Sequence, residues 1–129
     1  MNAQGLQAAL LVGLGGFFGA IARWLLALAV AKRLGTEWPW GTFVVNISGC
    51  LVIGFFVTFT SERVVVHESW RLLIPIGFVG AYTTFSTYEL ETMKLIAQGA
   101  WLRAVSYLLA STVAGLLAVI LASWVARRV

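Results

Sequence analysis

Residues 77–89, GFVGAYTTFSTYE, bring Thr83, Thr84, Ser86 and Thr87 together with Phe85 and Tyr88 inside an otherwise apolar stretch. Hydroxyls are neutral donors and acceptors. Aromatic rings have a positive edge and a negative face, so an edge favours a small desolvated anion and a face favours a cation. Gly77 and Gly80 flank this density of hydroxyls, which argues for a broken helix. At membrane depth, non-helical backbone is tolerated only where it is buried in protein or lines a cavity. A break frees carbonyl oxygens that can bind a cation. The hydroxyls either satisfy the freed groups or meet an ion. Elsewhere, Asn46 lies in GTFVVNISG (residues 41–49), where its amide either joins helices or offers its NH₂ to an anion. Tyr107 and Ser111 are four apart and share a helix face. Two hydroxyls one turn apart begin a polar track or serve helix–helix hydrogen bonding. Arg23 falls well inside the first apolar run, where a lone guanidinium must snorkel, line a wet cavity or find partners.

The elements that carry these residues follow from composition. The chain has 129 residues, of which 60% are hydrophobic and only 11% charged, too little charge to cover a soluble domain. A helical span needs roughly 20 apolar residues. Four spans fit, near 6–31, 42–60, 72–97 and 104–126. The reading is an all-α integral membrane protein, one domain over residues 1–129, with four transmembrane helices, the third broken. Trp38, Trp40, Trp70 and Trp101 sit where interfacial anchors belong. Gly15 and Gly19, in GLGGFFG (13–19), form a small-xxx-small pair that permits close helix approach. The N-terminus lacks the pattern of a cleaved signal peptide. The single Cys50 implies packing and no disulfide framework.

Charge placement bears on assembly. The net charge of +4 comes from scattered basic residues without a stripe, which excludes a nucleic-acid partner. Four spans put Arg63, Arg71, Arg127 and Arg128 on one side and Lys32, Arg33, Lys94 and Arg103 on the other. This balance gives the positive-inside rule nothing to act on. Either a neighbouring protein sets the orientation or the chain inserts both ways, which makes an antiparallel dimer possible. Four short helices do not easily enclose a pore alone, so a symmetric dimer is expected. The sequence has no HExxH, no CxxC, no complete phosphate loop and no mid-span carboxylate pair. Glu89 and Glu91 lie toward the far end of span three and are poor candidates for a proton relay. The donors are neutral, which suits a small anion that must bind and still leave.

GGFFGAIARW (15–24), GTFVVNISG (41–49), GFVGAYTTFSTYE (77–89) and the Tyr107/Ser111 pair resemble the bacterial fluoride channel family, also called the camphor-resistance family. The resemblance covers nearly the whole chain. It implies no enzyme but an antiparallel, dual-topology homodimer in the cell inner membrane. Such a dimer passively conducts fluoride out of the cytoplasm through two pores. Asn46 looks like the pore asparagine and Phe85 like the first pore phenylalanine. Tyr88 stands where the second is usually phenylalanine. Tyr107 and Ser111 look like polar-track residues, and Thr42 like the threonine near the start of helix two. Arg23 matches the family's helix-one arginine, and Glu91 a glutamate beyond the break. The backbone carbonyls of Gly80 and Thr83 match positions that hold a structural Na⁺ on the two-fold axis. The competing reading is a proton-coupled small multidrug-type transporter. Its usual carboxylate in span one is missing here, where Arg23 is the only charge.

Overall fold

The computed structural model describes residues 2–129, and among these it is all-helical. Helix α1 spans Ala3–Leu34, opened by the Asn2 side chain accepting from Gly5 N and closed by Gly35 at φ 80°. That left-handed conformation favours glycine and turns the chain. Helix α2 runs Trp40–Glu62. A short α3, Glu68–Arg71, then begins the interrupted leg of the bundle. The leg continues as a π-helical stretch over Leu72–Val79 and one closing turn, α4, Gly80–Tyr82. After the break come α5, Phe85–Ala97, and α6, Trp101–Ala126. Helices α1, α2 and α6 are long and apolar enough to cross a membrane.

Pro75 lies inside the widened stretch. Its ring nitrogen has no hydrogen to donate, so the regular helical ladder cannot run through it. The leg leaves helical geometry at Thr83 (φ −81°, ψ 159°) and Thr84 (φ −149°, ψ 117°). Thr84 is also the N-cap of α5: its Oγ1 accepts from Thr87 N at 3.2 Å, which satisfies one orphan donor of the new helix. The break expected from the cluster of hydroxyls is therefore present, at Thr83–Thr84.

Two helix pairings dominate, α2 with α6 and α1 with the π-helical stretch. Both depend on missing side chains. A Cβ at Gly15 would overlap Leu73 O, and one at Gly19 would overlap Phe78 O, so α1 meets the backbone of the interrupted leg directly. This is the close approach that the Gly15/Gly19 spacing predicts. Gly54 presses on Val119 O of α6 (a Cβ would lie 2.7 Å away), and Gly115 faces Cys50 of α2. The buried face of α6 reads Ala104, Tyr107, Gly115, Ala118, Ala122, Ala126, a helical stripe of mostly small residues. Without a hydrophobic drive between helices in lipid, such close packing is what holds spans together. The large apolar side chains point outward instead, among them Leu10, Phe17, Phe18, Leu102, Leu109 and Leu116. An outward-facing apolar surface of this kind is the surface of a multi-pass membrane protein.

The connecting ends are tied by two exposed ion pairs. Arg103 meets Glu37 at 2.6 Å and Arg127 meets Glu62 at 3.1 Å, at opposite ends of α6. Exposed pairs of this kind add little stability.

Candidate ion-binding site

Asn46 sits on α2 facing the break. Its Nδ2 donates to Thr84 O at 3.1 Å, and its Oδ1 accepts from Thr84 N at 2.8 Å. One amide therefore satisfies both backbone groups of a residue that has left the helix. The cost of leaving two such groups unpaired is about 1–3 kcal/mol each. Of the two roles open to Asn46, the joining role is filled. The NH₂ carries two hydrogens and Thr84 takes one, so a second donor remains.

The same clamp alters the carbonyls before it. In a continuous helix Thr84 N would bond Gly80 O, but here it goes to Asn46. Thr83 N and Thr83 Oγ1 both return to Val79 O, at 3.0 and 2.9 Å. Gly80 O has lost its helical donor, and Thr83 O, on extended backbone, receives no backbone hydrogen bond among the described residues. Gly80 is exposed, and a Cβ there would meet nothing closer than Pro75 O at 3.9 Å. Gly49 leaves room for the break on the other side, since a Cβ at 49 would overlap the Thr83 methyl.

A row of rings starts at the break. Phe85, 73% exposed in the single chain, lies 5.9 Å from Tyr88 between centroids. Tyr88 meets Tyr107 edge-on at 5.0 Å. Tyr107 in turn meets Trp38 at 5.0 Å. Tyr88 is buried, and its hydroxyl donates to Leu108 O of α6 at 3.2 Å. The extra polar tip is thus directed at helix backbone.

Tyr107 is fully buried and donates from Oη to Glu91 Oε2 at 2.8 Å. Thr42 Oγ1 donates to Glu91 Oε1 at 2.9 Å. Glu91 is thereby the hub that joins α2, α5 and α6. The position of Glu91 toward the far end of the third apolar run conceals, in the sequence, where its carboxylate points. One turn further along α6, Ser111 Oγ is buried with no hydrogen-bond partner, the one such side-chain atom among the described residues. Buried polar atoms are nearly always bonded, so an exception calls for a cause. Arg23 makes no hydrogen bond or ion pair with the described residues of its own chain, and lies half-buried on α1.

A cleft of about 420 Å³ opens beside this cluster, with Thr42 and Glu91 in its lining and Trp24, Trp38, Trp40 and Lys94 around them. The structure thus brings Thr42, Tyr88 and Tyr107 together around Glu91 and the ring row, with Asn46 at its start. Arg23 stands apart on α1. No group of three or more acidic, histidine or cysteine side chains could hold a metal among the described residues.

Close-packed helices with an interrupted leg and an outward apolar surface define a multi-pass membrane protein. Residues 10–123 match the model of the CrcB-like, camphor-resistance (CrcB) family. The chain is 54% identical over 90 residues to a fluoride-specific ion channel, FluC, of Koribacter versatilis, covering 70% of this chain and 71% of the relative. It is 44% identical to the channel of that name in Acidobacterium capsulatum, over 92% and 94% of the two chains. A Synechococcus channel of the same name is 41% identical over 98% of each. The chain belongs to the CrcB/FluC family, whose members are channels and not enzymes.

Proposed function

We propose that the protein is a passive, fluoride-selective channel that works as an antiparallel, dual-topology homodimer with two paths, in the cell inner membrane, and lowers cytoplasmic fluoride. The observation that carries this reading is the buried, unpartnered Ser111 hydroxyl on the α6 face that also bears Tyr107. Family membership, together with relatives named as fluoride-specific channels, supports the choice of anion.

Fluoride is small and strongly hydrated, so its dehydration must be offset by short hydrogen bonds. Ser111 Oγ and the second Asn46 N–H are uncommitted donors. The edges of Phe85 and Tyr88 add a weakly positive wall. Neutral donors bind an anion without trapping it, as conduction requires. Thr42 and Tyr107 hold both oxygens of Glu91, which keeps that carboxylate engaged at the end of the track. Arg23, with no hydrogen-bond or ion-pair partner among the described residues, contributes positive potential. Phe85 and Gly80, exposed in the single chain, suit the face covered by a second copy. A sodium ion on the two-fold axis fits the donor set at the break: the Gly80 and Thr83 carbonyls would hold it, and it would supply fixed positive charge beside both paths.

Liposomes loaded with fluoride or chloride and carrying the purified dimer test the reading. Rapid fluoride efflux on a fluoride electrode, with little chloride efflux, is the expected result. Folded dimer that leaks no fluoride, or that moves protons only when a hydrophobic cation is supplied, would overturn it in favour of a multidrug-type transporter.

A further inference from the structure

The connection between α1 and α2 is only residues 35–39, yet five contacts anchor it to α6 and α2. Trp38 Nε1 donates to Ser106 Oγ at 3.1 Å. Arg103 Nη1 donates to Glu37 O at 3.3 Å and pairs with the Glu37 carboxylate. The Trp38 ring meets Phe43 at 5.2 Å and Tyr107 at 5.0 Å, the latter with planes at 76°. Tyr107 is therefore held between two rings, Trp38 on the loop and Tyr88 on α5. A phenol so held has little freedom to turn, and its hydroxyl stays on Glu91 Oε2. The exposed Arg103–Glu37 pair is too weakly worth its place to do this alone.

We propose that Trp38 is a positioning residue for the anion path. It holds Tyr107 at the angle from which the hydroxyl engages Glu91, and so the loop between α1 and α2 controls a charge inside the bundle. When the indole is removed, Tyr107 can turn away and Glu91 Oε2 loses its donor. An unengaged carboxylate oxygen then faces the cleft that Glu91 and Trp38 both line, where it repels an arriving anion. The inference rests on the channel reading.

The test uses the full-length dimer and four proteins: wild type, Trp38→Ala, Glu91→Gln and the double variant. Trp38→Ala should slow fluoride efflux about tenfold, whereas the same change made on Glu91→Gln should slow it no further. Trp38→Phe, which keeps a ring, should restore most of the flux. Equal slowing in both backgrounds, or none in Trp38→Ala, overturns the proposal. Should Trp38→Ala fail to give folded dimer, Trp38→Leu, apolar but ringless, replaces it. Thermal midpoints of the same four proteins judge the contact without reference to transport. Non-additive shifts support the coupling through Tyr107, and additive shifts overturn it. A wild type that passes no fluoride defeats the channel reading itself, and the midpoints still decide whether Trp38 acts through Glu91.

Discussion

The break between α4 and α5 and the buried stripe of α6 both place polar groups inside an apolar bundle, but they are completed differently. At the break, Asn46 answers both backbone groups of Thr84, Thr83 Oγ1 returns to Val79 O, and Thr84 Oγ1 caps Thr87 N. On α6, Tyr107 is answered by Glu91, while Ser111 Oγ is answered by nothing among the described residues. The break teaches how an interrupted helix can exist in lipid: the backbone of Thr84 and the donors of Thr83 are paired internally, while the Gly80 and Thr83 carbonyls stay open. The stripe shows where a donor has been left for something else. A group whose bonds are complete serves architecture, and a buried group whose bond is missing is available to a ligand.

The largest expected effect falls on the architectural side. Asn46→Leu should leave Thr84 N and O buried without partners, at about 1–3 kcal/mol for each. Loss of a monodisperse dimer in detergent, or a sharply lower melting midpoint, is the expected result. A stable Asn46→Leu dimer would erase the distinction between the two regions.

Phe85→Ile should abolish or greatly slow fluoride efflux while the dimer stays folded. Phe85 is largely exposed within its chain, so its removal opens no cavity there. Full flux would mean that the path does not run along the rings. Ser111→Ala sharpens the comparison from the other side. No hydrogen bond among the described residues is lost, so the melting midpoint should barely move. Hydrogen bonds to charged groups are worth about 1.5–3 kcal/mol, so efflux should fall roughly tenfold or more. A drop in stability without a drop in flux would make Ser111 another architectural residue.

Tyr88→Phe should have the smallest effect. It removes the hydroxyl that donates to Leu108 O but leaves the ring row intact, with a stability change of about 0.5–1.5 kcal/mol. Conduction in liposomes should persist. Its loss would mean that the hydroxyl has a role beyond its contact with α6.

Much of this was legible before folding. Hydrophobic runs place the helices, and the real ends of α1, α2 and α6 extend those runs by only a few residues, because polar and interfacial residues at the span ends also take helical geometry. Gly15 and Gly19 announce a close contact through their spacing alone. Less legible was the π-helical stretch, since Pro75 marks a disturbance without specifying which helical form will absorb it. The roles of Glu91 and Trp38 were hidden for a related reason. Glu91 lies in the middle of α5 and Trp38 in the connection before α2, and only the crossing of α2, α5 and α6 tells which way such side chains turn.

Composition determined that this chain lives in a bilayer, because an apolar surface of this extent has no other stable solvent. Local chemistry determined that the third leg would break, because hydroxyls and glycines there weaken one continuous helix. Only the tertiary structure decided how the freed groups are used. Hydrogen bonds between residues 38 positions apart, as from Asn46 to Thr84, depend on how helices cross, and no local pattern encodes that crossing. The same packing decided that the Ser111 hydroxyl would be buried without a partner among the described residues while Tyr107, one turn away, found one.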